Sequence, residues 1–233
     1  MEKFKRKKKF NLINSFFYFI DRVLPIQNKI KLKFYLNLLF VFKRLSYEKS
    51  YILLNQKHPS TQNTINNLKK YVKKNHNILD IGSGNGNIAE SLSPHVKKIF
   101  CIDHNKKAIN KAKEQNKRNN IFYICDDIKK IRKYNIKNID LIVCSHIIEH
   151  LEFPFSFLNY IKKFKSKIYI EVPDFEHDNL NQVKKKIKYN LNYSDDDHIY
   201  EFDRYTLKKK LTDHKFIILD ENYQHGVISL LIK

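Results

Sequence analysis

Asn77-Ile-Leu-Asp80-Ile-Gly82-Ser-Gly84-Asn-Gly86-Asn-Ile-Ala-Glu90 holds three of the four glycines in a chain of 233 residues. Glycine is needed where the backbone takes φ > 0 or where a ligand must come close to the main chain. Ile78 to Ile81 read as a short buried strand, and Asn87 to Leu92 as the opening of a helix. Strand, glycine turn and helix form the setting in which such a turn cradles a ligand. The spacing is not that of a dinucleotide fingerprint, Gly-x-Gly-x-x-Gly. The third glycine comes one residue early, and Asn87 stands where that fingerprint needs glycine.

Outward from this turn the chain repeats the pattern. Lys98 to Ile102 form a second strand ending at Asp103, and Asn105 can cap the helix behind it, whose inward stripe is Ala108, Ile109 and Ala112. Ile121 to Cys125 form a third strand, ending in Asp126 and Asp127. Ile139 to Cys144 form a fourth, running into Ser145 to Leu151, and Lys167 to Pro173 a fifth. An Asp203-capped helix precedes a closing hairpin, Phe216 to Leu219 with Val227 to Ile232. Strand and helix alternating five times predict an α/β fold with a doubly wound, mostly parallel sheet and a C-terminal antiparallel hairpin. Ligands of such sheets bind outside the carboxyl ends of the strands. Asp103 is therefore placed beside the glycine turn, where a carboxylate can accept both hydrogen bonds of a vicinal diol such as a ribose.

The pattern Asp80-x-Gly82-x-Gly84-x-Gly86 resembles the first motif of the class I S-adenosylmethionine-dependent methyltransferases. Asp140-Leu-Ile-Val-Cys-Ser-His146-Ile-Ile-Glu149-His150-Leu151 is similar to the fourth motif of small-molecule methyltransferases, the ubiquinone-biosynthesis O-methyltransferases among them. The resemblance covers residues 77–233. It implies a Rossmann-like domain, S-adenosyl-L-methionine as cofactor, and a cofactor site built from Asp80, Gly82, Gly84, Gly86, Asp103, His104, Asp126 and Asp127. Within that set it gives Asp126 the adenine amino group, with Asp127 as near competitor, and lays His104 along the adenine face. If the acceptor is a hydroxyl, a histidine is the natural base at neutral pH. His146 and His150 are the candidates, and at i and i+4 they share one face if the segment is helical.

Residues 1–76 form a basic helical extension. They carry eighteen Lys or Arg against three acids, out of a formal net charge of +21 for the whole chain. A+T-rich coding accounts for part of that excess, and a functional basic surface is the alternative. Lys3 to Lys9 is followed by Phe16 to Ile20 and Phe34 to Phe42, apolar runs too short to span a bilayer. No small-residue cleavage site follows, and Asp21-Arg22 interrupts the first run, so a signal peptide is not expected. The extension is either a cap over the active site or a surface-lying membrane anchor through residues 1–45. Thr64 to Val72 reads as a helix that Ser60 or Thr61 can cap. Cys101, Cys125 and Cys144 lack disulfide or zinc spacing and read as small buried hydrophobes in a reducing, cytoplasmic setting. No metal is expected, since Asp178, Asp195, Asp196 and Asp197 lack a ligand spacing. Residues 174–200 are expected to grip the acceptor or to form a solvated excursion. There is no Asn/Asp-Pro-Pro-Tyr/Phe and no Pro-Cys, which disfavours methylation of exocyclic amines and of pyrimidine C5. The functional expectation is methyl transfer to a hydroxyl of a small molecule, glycan or lipid-linked acceptor. An RNA methyltransferase using the basic front, or a non-enzymatic module, are the alternatives.

Overall fold

Seven strands carry the architecture. They are β1 (Asn77–Ile81), β2 (Lys98–Asp103), β3 (Ile121–Cys125), β4 (Leu141–Ser145), β5 (Lys167–Pro173), β6 (Ile218–Gln224) and β7 (Val227–Ile232). The computed structural model describes residues 12–54, 57–189 and 195–233, so the Lys3 to Lys9 run lies outside the described residues. The strand order is β3-β2-β1-β4-β5-β7-β6. The first five strands pair in parallel, and β7 runs antiparallel between β5 and β6. The order reverses between β1 and β4, which opens a crevice at the carboxyl ends of those two strands.

The strand sequences explain the layering. Parallel central strands are buried on both faces and read as continuous apolar runs. Alternate residues still point to opposite sides. Along β4, Ile142 and Cys144 pack on one face, and Leu141 and Val143 on the other. The first face is covered by α6 (Pro154–Ile161) and α8 (Arg204–Asp213) through Leu158, Ile161, Leu207 and Leu211. The second is covered by α3 (Pro59–Lys69) and α4 (Asn87–Leu92) through Leu68, Ala89 and Leu92. The helix α5 (Lys106–Gln115) buries Ile109 and Ala112, and Asn105 caps it by accepting from the Lys107 and Ala108 amides. Asp203 caps α8 by accepting from the Thr206 amide.

Three sequence expectations are corrected. Between β3 and β4 the chain forms a 3-10 helix, Ile128–Tyr134, and not an α-helix. The helix α3 starts earlier than expected: Pro59, with its preset φ, opens it, and His58 is the cap, accepting from the Ser60 amide. Cys125 is exposed, because β3 is an edge strand and Cys125 is its last residue, whereas Cys101 and Cys144 are buried. The excursion after β5 holds α7 (Asn179–Lys186), capped by Asp178.

The chain divides into two units, residues 1–46 and 47–233. The first holds α1 (Leu12–Val23) and most of α2 (Asn28–Leu54). Within it Asp21 of α1 accepts from the Tyr35 hydroxyl at 2.6 Å and pairs with Lys31. The sheet and α3 lie in the second unit.

Candidate active site

The glycine turn is held by the strands beneath it. The Gly82 amide donates to the Ile102 carbonyl at 2.8 Å, and the Gly86 amide to that of Ser83 at 2.9 Å. All three glycines sit at positive φ. A Cβ at Gly82 would run into the Ile147 side chain, and one at Gly86 would come within 2.6 Å of the Tyr123 hydroxyl. Gly84 differs: a Cβ there would meet nothing within 4 Å. Its backbone faces open space, as close approach by a ligand requires.

Asp103 closes one side of the turn. Its Oδ2 accepts from the Gly84 amide at 2.8 Å, and its Oδ1 from the Asn105 amide at 2.8 Å. These two bonds fix the carboxylate against the glycine loop while each oxygen keeps a further lone pair. His104 is beside it, 92% exposed, with Nδ1 3.9 Å from Asp103 Oδ1. Asp126 follows at the end of β3, and its amide donates to the Asp103 carbonyl. Its carboxylate is engaged by Lys133, Lys130 and the Tyr134 hydroxyl, and the lysine and tyrosine bonds hold it well below the usual carboxylate range. Asp127 accepts from the Lys129 amide and starts the 3-10 helix.

Asp80 lies under the turn, 2% exposed, and its Oδ2 has no partner among the described residues. Burial, then the charge of Asp103, pushes it up to about 7. The folded chain therefore holds a proton that the unfolded chain releases above its ordinary value of 3.8. Stability should fall as pH rises from about 4 to about 7, by a total of roughly 4 kcal/mol. Thermal melts of the ligand-free protein should decline more steeply across that window than melts of Asp80→Asn; parallel declines would refute the buried proton.

A cleft of about 230 Å³ opens on the turn. Ser83, Gly84, Asn85 and Asn87 form one wall, Ser145 and His146 another, and Tyr51, Ser60, Thr61 and Thr64 the third. The last wall is tied together: Tyr51 stacks on His58 at 3.8 Å and its hydroxyl bonds the Ser60 hydroxyl. A second cavity of about 320 Å³ lies near Asn77, Lys98 and Asn138. It is at the amino ends of the strands, opposite the end where such sheets take ligands.

His146 stands at the carboxyl end of β4 with φ +53°. Its amide donates to the Glu171 carbonyl at 2.8 Å. Its Nδ1 lies 3.2 Å from Glu149 Oε1 and its Nε2 3.6 Å from Glu171 Oε1. Both carboxyl groups are 1% exposed, while the imidazole is 41% exposed. Desolvation pulls the imidazole down, but the bond to Glu149 and the charges of Glu149 and Glu171 outweigh it and hold His146 above its ordinary value. Glu171 also accepts from Thr64, Ser145, Tyr169 and Ser229. One carboxyl thus joins the cleft wall of α3, the end of β4, and β7.

His150 does not share a face with His146, because the chain turns left-handed at His146 and then forms a 3-10 turn, Ile148–His150. It faces Asp197 and packs edge-on to His198, with ring centroids 4.8 Å apart. Glu149, His150 and His198 bring one potential metal-ligating atom each within 4.8 Å of one another; Asp195, Asp197 and His198 form a second such group. The first was not legible from spacing, since His198 comes from a different segment; the second falls on the run of acids at 195–197 already weighed in the sequence. Glu171, Thr64 and Tyr51 were also missed. The one signal was an acid inside the apolar run Lys167 to Val172, where a charge must find partners to be buried.

Residues 79–165 match the methyltransferase domain family. With the reversed strand order, the left-handed glycine turn and Asp103 bonded to it, that match decides the class. The chain carries a class I S-adenosylmethionine-dependent methyltransferase domain. Its sequence is 37% identical over 101 residues to a ribosomal protein L11 methyltransferase of Prochlorococcus marinus, covering 40% of this chain and 33% of that protein. It is 31% identical over 83 residues to a ubiquinone biosynthesis O-methyltransferase of Coxiella burnetii, covering 35% of each. The chain thus spans about a third of the length of these curated relatives. The methyltransferase domain also shares its fold with magnesium protoporphyrin IX methyltransferase of Synechocystis PCC 6803, solved with bound SAH. That likeness has a TM-score of 0.60 at 12% identity and covers 84% of this chain and 96% of that one.

Proposed function

We propose that this protein transfers the methyl group of S-adenosyl-L-methionine to a hydroxyl of a small-molecule, glycan or lipid-linked acceptor. The observation that carries the reading is His146, fixed by Glu149 and Glu171 at the edge of the cleft that the glycine turn lines. The cofactor fits this chain at Gly84, where the main chain faces open space, and at Asp103, whose carboxylate is aimed along the same loop. When bound, it supplies a methyl group already activated on sulfonium sulfur.

The chain's own residues do the rest. Asp103 accepts from the ribose hydroxyls, and the Gly82–Gly86 turn lets the cofactor lie against the backbone. Glu149 accepts from His146 Nδ1–H, which leaves Nε2 with its lone pair. His146 Nε2 would take the proton of the acceptor hydroxyl, while the bound cofactor would supply the methyl group and its sulfur would keep the electron pair of the broken S–C bond. The wall of Tyr51, Ser60 and Thr64 aligns the acceptor and limits water. Asp126, with Asp127 as its competitor, is the acceptor for the adenine amino group in this reading, and Lys130, Lys133 and Tyr134 hold its carboxylate in place.

The test supplies methyl-labelled cofactor with phenolic and sugar hydroxyls, amines and RNA. Label in an ether is the expected product; label in amines or RNA alone would overturn the hydroxyl reading. His146 must be neutral to act, and its pKa is raised above its ordinary 6.5, so turnover should climb with pH through a midpoint above 6.5 before it levels off. A rate independent of pH across that limb would remove His146 as the base.

A further inference from the structure

The amphipathic helix α1 is turned inside out. At 100° per residue Leu12, Ile13, Phe16, Phe19, Ile20 and Val23 share one face, and Asn14, Asp21 and Arg22 lie on the other. A helix packed on its own protein turns the apolar face inward. Here the polar Asp21 meets α2, through the Tyr35 hydroxyl and Lys31, and α1 buries none of its residues. Phe16, Phe17, Phe19 and Val23 are each about three-fifths exposed. The helix α2 also exposes apolar side chains. Ile30, Phe34, Leu38, Val41 and Leu45 follow a helical stripe, and all are exposed, while Leu36 is the only buried residue of the helix. An apolar face of this extent calls for an external partner.

We propose that this face lies in the interface of an anionic lipid bilayer. Three features select that occupant. The first is charge complementarity: residues 1–76 carry eighteen Lys or Arg against three acids. A basic segment is drawn to anionic headgroups, whereas a second copy of it would be repelled. The second is composition. Aromatic and aliphatic side chains together, with Lys29, Lys31, Lys33, Lys43 and Arg44 close by, suit the boundary between acyl chains and headgroups. A single-stranded nucleic acid would use aromatic platforms but has no use for Leu12, Ile13 and Val23. The third is length. At 12 residues α1 extends about 18 Å, too short to cross a bilayer. No helix among the described residues is long and apolar enough to do so. The helices therefore lie on the membrane. This stands apart from the methyl-transfer reading, because nothing in it uses the cleft.

Flotation of the full chain with phosphatidylcholine vesicles, with and without phosphatidylglycerol, tests it. Binding is expected with the anionic vesicles, weakened by salt. F16S/F19S should lower the partition coefficient at least about tenfold, with far-UV circular dichroism and S-adenosylhomocysteine binding unchanged. Equal binding of the double variant, no binding by the parent chain, RNA binding that Phe16 and Phe19 control, or a dimer that they control would each overturn the proposal.

Discussion

Alanine in place of His146 is expected to lower kcat by about 10²- to 10⁴-fold, the range that a positioned proton acceptor contributes. The argument rests on geometry before acidity. Among the described residues His146 is the one histidine that lines the cleft, and its amide is held by the Glu171 carbonyl. Its Nδ1 is occupied by Glu149, which selects one tautomer and leaves Nε2, 3.6 Å from Glu171 Oε1, as the nitrogen proposed to take the proton. Affinity for S-adenosylhomocysteine should stay within about threefold, because the imidazole acts on the acceptor and not on the cofactor. The pH limb should disappear with the imidazole. A variant that keeps its kcat and its limb would show that His146 serves the loop alone. The same carboxyl groups link His146 to stability. Its folded pKa is raised, so their pairing contributes fully below about 6.5 and is lost as pH rises through the folded value.

Glu171→Ala is expected to have the largest effect on folding, a loss of about 3–5 kcal/mol. The carboxyl is buried and accepts from Thr64, Ser145, Tyr169 and Ser229, with His146 alongside. Its removal leaves four hydroxyls without their acceptor and a cavity between α3 and the sheet. For a chain of this size the melting temperature should fall by roughly 6–20 °C. Glu171→Gln keeps the volume and one acceptor and should lose less than half as much. Urea midpoints of the two variants measure this directly. An alanine variant within about 1 kcal/mol of the parent would mean that water replaces the carboxyl, and that the cleft wall does not depend on it.

How much of this was legible in the sequence varies with the reach of each interaction. The sheet was, because its strands are continuous apolar runs joined by crossovers. The glycine turn was, because positive φ restricts the residue type at Gly82, Gly84 and Gly86. Asp103 was, because a strand end beside that turn is fixed by the fold. The pairing of His146 with His150 failed, because helical spacing was assumed where a left-handed residue breaks the periodicity. Glu171 and Thr64 lie 107 positions apart. No local period connects them, and only the packing of α3 on the sheet brings them together. The excess of basic residues was legible, but the orientation of α1 was not, because it depends on Asp21 bonding Tyr35 of α2 while the phenylalanines stay exposed.

The central claim is that the glycine turn and Asp103 hold S-adenosylmethionine. Calorimetric titration of the full chain with S-adenosylhomocysteine, beside Asp103→Ala, tests it most directly. One-to-one binding is predicted, weakened about tenfold or more when the ribose carboxylate is removed. Binding of equal strength by both proteins would contradict the placement of the ribose, and no binding by the parent chain would contradict the cofactor site itself.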